Sequence, residues 1–104
     1  MFSFFKKWTG STTNFAELIE NGALLLDVRT KTEFEAGHIA KAKNIPLDQL
    51  PSKLDQLKNL GKPVITLCRS GARSGMAKGI LQKAGVEVYN GGGWIAFKNK
   101  YAVK

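Results

Sequence analysis

Apolar residues recur along the chain in two alternating patterns. Continuous apolar runs at Ala23–Val28, broken only by an aspartate, and at Val64–Leu67 predict strands that are buried on both faces. Phe15, Leu18 and Ile19 recur instead at helical spacing, and similar sets follow later in the chain. Because predicted strands and helices alternate, we expect an α/β fold with a mainly parallel sheet and helices on both faces.

Capping residues and glycines predict where the first helices begin and end. The polar run 12–14 precedes the first helical face, and Gly22 suits the position after its last turn. Thr30 and Glu33 have the spacing of a capping box, and Gly37 is expected to stop the short helix that they start. A strand around residues 43–45 should follow.

The C-terminal part of the chain predicts a helix, a strand, a turn and a last short helix. The first of these helices is expected to bury Met76, together with Ile80 and Leu81. Val86–Tyr89 is predicted as a strand, and Asn90–Gly93 as a flexible turn.

The length of 104 residues predicts a single domain. We expect residues 12–100 to form its core and residues 1–11 to be an N-terminal extension folded onto it. A hydrophobic share of 43% argues against disorder. One cysteine excludes an intrachain disulfide, and one histidine leaves little for a metal site. We therefore expect no metal, no cofactor and a reducing, cytoplasmic location.

The net charge of +8 raises the question of a nucleic-acid partner. The lysines are scattered, and no stretch interleaves aromatic and basic residues as a stacking surface would. A field that attracts small anions, or solubility alone, explains the charge equally well. We expect no nucleic-acid partner, no membrane span and, in the absence of heptads, a monomer.

The chemistry is concentrated at Cys68, which ends the predicted strand Val64–Leu67, and in the small-residue run after it. Ligands bind at this edge of open α/β sheets, and the N–H groups of a helix N-terminus favour anions. Beside Arg69 and Arg73, the Cys68 thiol should have a lowered pKa. A lone cysteine is more often buried core, but two arginines, two serines and two glycines in the next seven positions favour a nucleophile.

Two separated signatures together resemble the rhodanese family, specifically its single-domain sulfurtransferases. One comprises residues 26–29, 33–34, 37–39 and 44–46, and the other residues 68–74, so that the resemblance covers about residues 12–100. It implies a rhodanese-like three-layer α/β/α domain whose mainly parallel sheet has about five short strands.

The resemblance also implies a reaction. Cys68 would take a sulfur atom from a small anionic donor such as thiosulfate, as a persulfide, and pass it to cyanide or a thiol, with ping-pong kinetics. The backbone N–H groups of residues 69–73 can ring the outer sulfur as an oxyanion hole surrounds oxygen. The alternative is a module that relays sulfur to a protein acceptor or docks on a partner, with little thiosulfate turnover of its own.

The length of the loop weighs against a phosphatase. Cysteine-based phosphatases place five residues between their cysteine and arginine, whereas four separate Cys68 from Arg73. The smaller cradle suits one sulfur atom better than a tetrahedral phosphate. The loop also contains no aspartate to serve as a general acid.

The candidate binding loop comprises six residues with roles of different kinds: Arg69, Ser70, Gly71, Ala72, Arg73 and Ser74. Arg69 can bind the anionic oxygens of a donor, and Gly71 permits the turn of the backbone. For Arg73, substrate binding and a salt bridge within the scaffold remain equal alternatives. Ser70 and Ser74 can donate hydrogen bonds to a persulfide, although a helix cap explains Ser74 equally well.

Asp27 and Arg29 are expected to support the site from outside the loop, and Glu33 and His38 to have structural roles. Asp27 should accept hydrogen bonds from loop or backbone groups, and Arg29 and Glu33 are expected to form a structural ion pair. His38 is expected to be a structural, hydrogen-bonded imidazole, because the family uses no histidine base at this place.

Overall fold

The computed structural model describes residues 13–104, so the expectations for the N-terminal extension and for Thr12 lie outside the described residues. No helix among the described residues is long and apolar enough to cross a membrane. In chain order the elements are α1 Phe15–Glu20, β1 Leu24–Asp27, α2 Lys31–Ala36, β2 Lys43–Asn44, a 3-10 helix Leu47–Lys53, α3 Leu54–Asn59, β3 Val64–Cys68, α4 Ala72–Lys83, β4 Val88–Gly93 and α5 Trp94–Tyr101.

The strands form one parallel sheet in the order β2-β1-β3-β4. This confirms the parallel α/β prediction, although residues 13–104 contribute four strands rather than about five. Asp27 at the end of β1 pairs with Leu67, next to the end of β3. The connections that follow β1 and β3 therefore leave the sheet side by side, at its carboxyl edge.

Helices cover both faces of the sheet, as predicted. Leu26 and Val64 face one side, where Leu57 of α3 and Leu81 of α4 pack against them. The alternate strand residues, with Leu25 and Ile65 among them, face the other side and contact α1 and α5. Successive side chains of a strand point to opposite faces, so two apolar cores form on a single sheet.

The prediction that Met76 is buried is wrong. Its neighbour Ala77 and then Leu81 point into the core, whereas Met76 is 57% exposed. Successive residues of a helix point about 100° apart, so the residue before Ala77 faces away from the sheet. This leaves a large apolar side chain in solvent, on the helix that begins at the candidate loop.

The predicted flexible turn at Asn90–Gly93 instead forms the last four of the six residues of β4. Thr66 pairs with Asn90 but Leu67 pairs with Gly92, so Gly91 is an extra residue in a β-bulge. A Cβ atom at Gly91 would lie 2.7 Å from a methyl carbon of Leu67. The glycines thus serve close packing on β3, because a bulkier strand could not lie there.

The predicted helix boundaries are confirmed where local spacing set them. The Asn14 side chain accepts a hydrogen bond from the Glu17 N–H, and Gly22, with φ of +88°, follows the end of α1. Both bonds of the Thr30–Glu33 capping box are present at the start of α2.

Candidate active site

The end of β3 and the start of α4 hold the thiol of Cys68 between backbone N–H groups. Cys68 is only 1% exposed, and the chain turns immediately after it. Gly71 has φ of +110°, a left-handed conformation that glycine adopts without a steric penalty. Its N–H donates a hydrogen bond to Cys68 Sγ over 2.9 Å. The Gly71 N–H therefore points at Cys68 Sγ; the predicted ring of N–H groups around an outer sulfur stays a prediction.

Ser74 lies on the other side of the sulfur and is completely buried. Its Oγ is 3.3 Å from Cys68 Sγ, 3.0 Å from the carbonyl oxygen of Gly71 and 2.7 Å from Asn90 Oδ1. Gly71 is the N-cap of α4, and no side chain caps the helix there. Of the two roles left open for Ser74, the structure therefore favours contact with the sulfur over helix capping.

The surroundings of Cys68 change its acidity in two opposing ways. Burial raises the pKa of the thiol, whereas hydrogen bonds from the Ser74 hydroxyl and from the N–H groups of Ser74, Gly71 and Ser70 lower it. The net pKa lies below the ordinary value. The predicted lowering of the Cys68 pKa is confirmed. Its cause is hydrogen bonding, however, and not the charge of two arginines as predicted from the sequence.

The two arginines of the loop differ in their partners. Arg73 forms a bidentate ion pair with Glu33 of α2, with N–O distances of 2.7 and 3.1 Å. The hydrogen bond from Arg73, together with those from Thr30, lowers the pKa of Glu33 to about 2. Arg69 is exposed and makes no ion pair within residues 13–104. Arg73 is thus paired within the scaffold, whereas Arg69 has no ion-pair partner in the described part of the chain.

The predicted ion pair between Arg29 and Glu33 is wrong. Arg29 pairs with Asp27 instead, at 2.7 Å, with side chains only 5% and 1% exposed. Its guanidinium also donates to the backbone oxygens of Gly37 and Glu33 and lies 4.7 Å from the Trp94 ring centroid. The Glu33 carboxylate pairs instead with Arg73, so α2 is tied through Arg29 to the end of β1 and through Arg73 to the first turn of α4.

Asp27 has the predicted role of a hydrogen-bond acceptor. Its carboxylate accepts from the backbone N–H and the guanidinium of Arg29. Asn44, at the end of β2, donates to the backbone oxygens of both residues. His38 confirms the structural expectation, because its Nδ1 lies 2.6 Å from the Phe34 carbonyl oxygen and its ring stacks on that phenyl ring.

Asn90 is the site residue that sequence reasoning missed. Its side chain reaches Ser74 from β4, although the two residues are 16 positions apart. The signal in the sequence was an Asn followed at once by glycines, a pattern that predicts a local side-chain hydrogen bond to the backbone. That bond is present, since the Gly92 N–H donates to Asn90 Oδ1 over 2.9 Å. The pattern could not show that the Asn90 amide also contacts Ser74 and Gly71, because both are distant in sequence.

Comparison with known proteins agrees with this geometry. Residues 11–100 match the family model of the Rhodanese-like domain. An uncharacterized protein of Bacillus subtilis, YqhL, is 46% identical over 69 residues, which are 65% of this chain and 54% of that protein. Thiosulfate sulfurtransferase 18 of Arabidopsis thaliana is 37% identical over 95 residues, covering 77% of this chain and 70% of that one.

The solved structures show the same fold. A rhodanese-related protein from Thermoplasma volcanium superposes with a TM-score of 0.71 at 32% identity, covering 86% of this chain and 92% of that one. Several of the curated relatives are longer: the chain spans about half the length of the proteins from Bacillus subtilis, Synechocystis and Allochromatium vinosum that it matches.

Proposed function

The chain belongs to the rhodanese family, and on that premise we propose that it transfers sulfane sulfur through a persulfide of Cys68. The observation that carries the proposal is the hydrogen bond from the Gly71 N–H to Cys68 Sγ, 2.9 Å long, at the uncapped start of α4. Donors fixed in this way stabilise negative charge on sulfur before the reaction and on the outer sulfur after it.

The first half-reaction uses the Cys68 thiolate as the nucleophile. Sγ attacks the outer sulfur of thiosulfate, the S–S bond of the donor breaks, and sulfite leaves with the electron pair. Cys68 is then a persulfide anion whose charge lies on the outer sulfur, within reach of the loop N–H groups. The lowered pKa of the thiol supports this step because the thiolate is the reactive form.

The second half-reaction returns the enzyme to its starting state. An acceptor, cyanide or a thiolate, attacks the outer sulfur; the new bond forms as the Sγ–S bond breaks, and Sγ leaves as the thiolate. With cyanide the product is thiocyanate. Because the sulfur resides on the protein between the two steps, the kinetics should be ping-pong.

The shape of the site supports a slim, anionic donor. Cys68 is almost fully buried, so a donor has to reach Sγ through the mouth of the loop. Arg69, Ser70 and Ala72 of that loop are exposed. The Arg69 guanidinium, which has no ion-pair partner among residues 13–104, suits the anionic oxygens of thiosulfate.

A second candidate function is sulfur relay to a protein acceptor. Met76 favours it, because an apolar side chain 57% exposed lies near the start of the helix that follows the loop. Exposed apolar side chains beside a reactive group suit contact with a macromolecule. Relay and thiosulfate turnover use the same persulfide and differ in what delivers and removes the sulfur.

The test is intact-mass measurement of the protein after incubation with thiosulfate, and again after addition of cyanide. We expect a gain of one sulfur atom that cyanide removes, and no gain in Cys68→Ala, the matched control with the same loop. No gain with thiosulfate but a gain with a protein persulfide would replace thiosulfate turnover by relay. No gain with either donor would refute sulfur transfer at Cys68.

A further inference from the structure

The hydroxyl of Ser74 lies within hydrogen-bond distance of more acceptors than it can donate to at one time. The hydroxyl carries one proton, yet its oxygen lies within hydrogen-bond distance of Asn90 Oδ1, the Gly71 carbonyl oxygen and Cys68 Sγ. The two oxygens can only accept. The sulfur is a donor as a thiol and an acceptor as a thiolate. The direction of the Ser74 proton is therefore coupled to the charge on Cys68.

The amide of Asn90 is held in one orientation. Its Oδ1 accepts from the Gly92 N–H at 2.9 Å, and its Nδ2 donates to the Gly71 carbonyl oxygen at 3.3 Å. Turning the amide over would place a donor against the Gly92 N–H and an acceptor against the Gly71 carbonyl. Asn90 thus presents an oxygen, not an NH₂ group, to Ser74.

The bulge in β4 explains why Asn90 reaches this place. The extra residue Gly91 shifts the register between Asn90 and Gly92, and bulges beside functional sites redirect side chains. This exposed strand residue makes two hydrogen bonds to the Cys68 loop, through Ser74 and Gly71, and a third to Gly92 of its own strand. The bonds to the loop are more than the strand pairing requires.

We propose that Asn90 is a positioning residue: its Oδ1 accepts the hydrogen bond of the Ser74 hydroxyl when Cys68 Sγ carries no charge and loses that bond to Sγ when Sγ is a thiolate. In the thiol, Sγ–H donates to Ser74 Oγ, and the Ser74 hydroxyl donates to Asn90 Oδ1. In the thiolate, the hydroxyl rotates and donates to Sγ. No proton leaves Ser74 in either state.

The consequence for catalysis rests on the proposed sulfur transfer. When the persulfide forms, the charge moves from Sγ to the outer sulfur, and the Ser74 hydroxyl can donate its hydrogen bond to Asn90 Oδ1 again. When the acceptor removes the outer sulfur, Sγ regains its charge, and the Ser74 hydroxyl rotates to donate its hydrogen bond to Sγ. Asn90 therefore competes with the thiolate for one hydrogen bond, and it adjusts the acidity of Cys68 through Ser74.

Two substitutions should move the acidity in opposite directions. Asn90→Ala removes the competing acceptor, so the pH midpoint of thiolate formation should fall by about half a unit. Asn90→Asp competes more strongly and adds a like charge two hydrogen bonds from Sγ, so the midpoint should rise by about one unit. The readout is the ultraviolet absorbance of the thiolate against pH, with the titration of Cys68→Ala subtracted.

Cys68 is the only cysteine, so the signal has one source. The measurement needs no sulfur donor, and it can therefore succeed or fail independently of the proposed function. Arg73, whose field reaches Cys68, is unchanged in every variant. Asn99→Asp on the exposed side of α5 is the matched control and should leave the midpoint in place.

A double variant tests whether Asn90 acts through Ser74. In a Ser74→Ala background there is no proton to compete for, so Asn90→Ala should no longer move the midpoint. A shift of the same sign in Asn90→Ala and Asn90→Asp would overturn the proposal, because loosening of the loop would explain both. A shift by Asn90→Ala that persists without the Ser74 hydroxyl would overturn it as well.

Discussion

Two connections leave neighbouring strands at the same edge of the sheet, yet they differ in how their polar groups are satisfied. In the connection from β1 to α2, called here the closed connection, the polar groups bond to one another. Arg29 pairs with Asp27, and the Thr30–Glu33 capping box satisfies backbone N–H groups at the start of α2. The connection from β3 to α4 begins its helix at Gly71 without a side-chain cap. Its donors are left for the sulfur of Cys68.

The difference shows how one topology makes both a support and a site. A capped helix N-terminus has already used its N–H groups, so it has little to offer an anion. An uncapped one keeps them available, provided that the backbone is held in place. The ion pair between Arg73 and Glu33 supplies that hold, because it fastens the first turn of α4 to α2.

The largest expected effect on stability is in the closed connection. Arg29→Met leaves the buried carboxylate of Asp27 without its partner, which should lower the free energy of unfolding by about 3–5 kcal/mol. Urea denaturation measures the change. Adding Asp27→Asn to that variant removes the unpaired charge and should recover part of the loss. A loss below about 1 kcal/mol in Arg29→Met would mean that this ion pair does not hold the connection together.

A smaller, pH-dependent effect is expected where the two connections meet. The folded pKa of Glu33 is about 2, below its usual 4.5, so the stability from its charge is fully present above pH 4.5 and is lost as the pH falls toward 2. Glu33→Gln should flatten the acid side of the stability profile. The expected loss at neutral pH is about 1 kcal/mol or less, because the pair is partly exposed.

Glu35 offers the matched control for that experiment. It lies on the same helix, is exposed, and reaches its partner Lys31 only at 4.0 Å. Glu35→Gln should leave the acid side of the profile nearly unchanged. Equal flattening by both substitutions would assign the effect to the net charge of α2 rather than to the bond with Arg73.

The smallest effect on stability is expected at Arg69, an exposed residue of the connection from β3 to α4. Arg69→Ala removes an exposed side chain, so the free energy of unfolding should change by no more than about 0.5 kcal/mol. The kcat/KM for thiosulfate should nevertheless fall roughly tenfold, since a hydrogen bond to a charged group is lost. Arg69→Lys should restore part of it. Unchanged kcat/KM in Arg69→Ala would remove this residue from donor binding.

The parts of the site that could be predicted are those that depend on short, local sequence motifs. Cys68, its uncommon run of small and basic residues, and the capping box each lie within a few positions, and local spacing decides their conformation. The partners of the arginines were mispredicted or left open. Arg29 and Glu33 are close in sequence, but the carboxylate of Glu33 is bonded across 40 positions to Arg73.

The sequence by itself determined the order of strands and helices, the place of the thiol and the family, because hydrophobic periodicity and short motifs are local properties. Only the tertiary structure decided that Arg73 pairs with Glu33 while Arg69 has no ion-pair partner within residues 13–104, that Met76 faces solvent, and that Asn90 reaches Ser74. Each of these depends on how distant segments pack. The register of β4 on β3, which contains one extra glycine, brings Asn90, a residue expected in a turn, to the hydroxyl of Ser74.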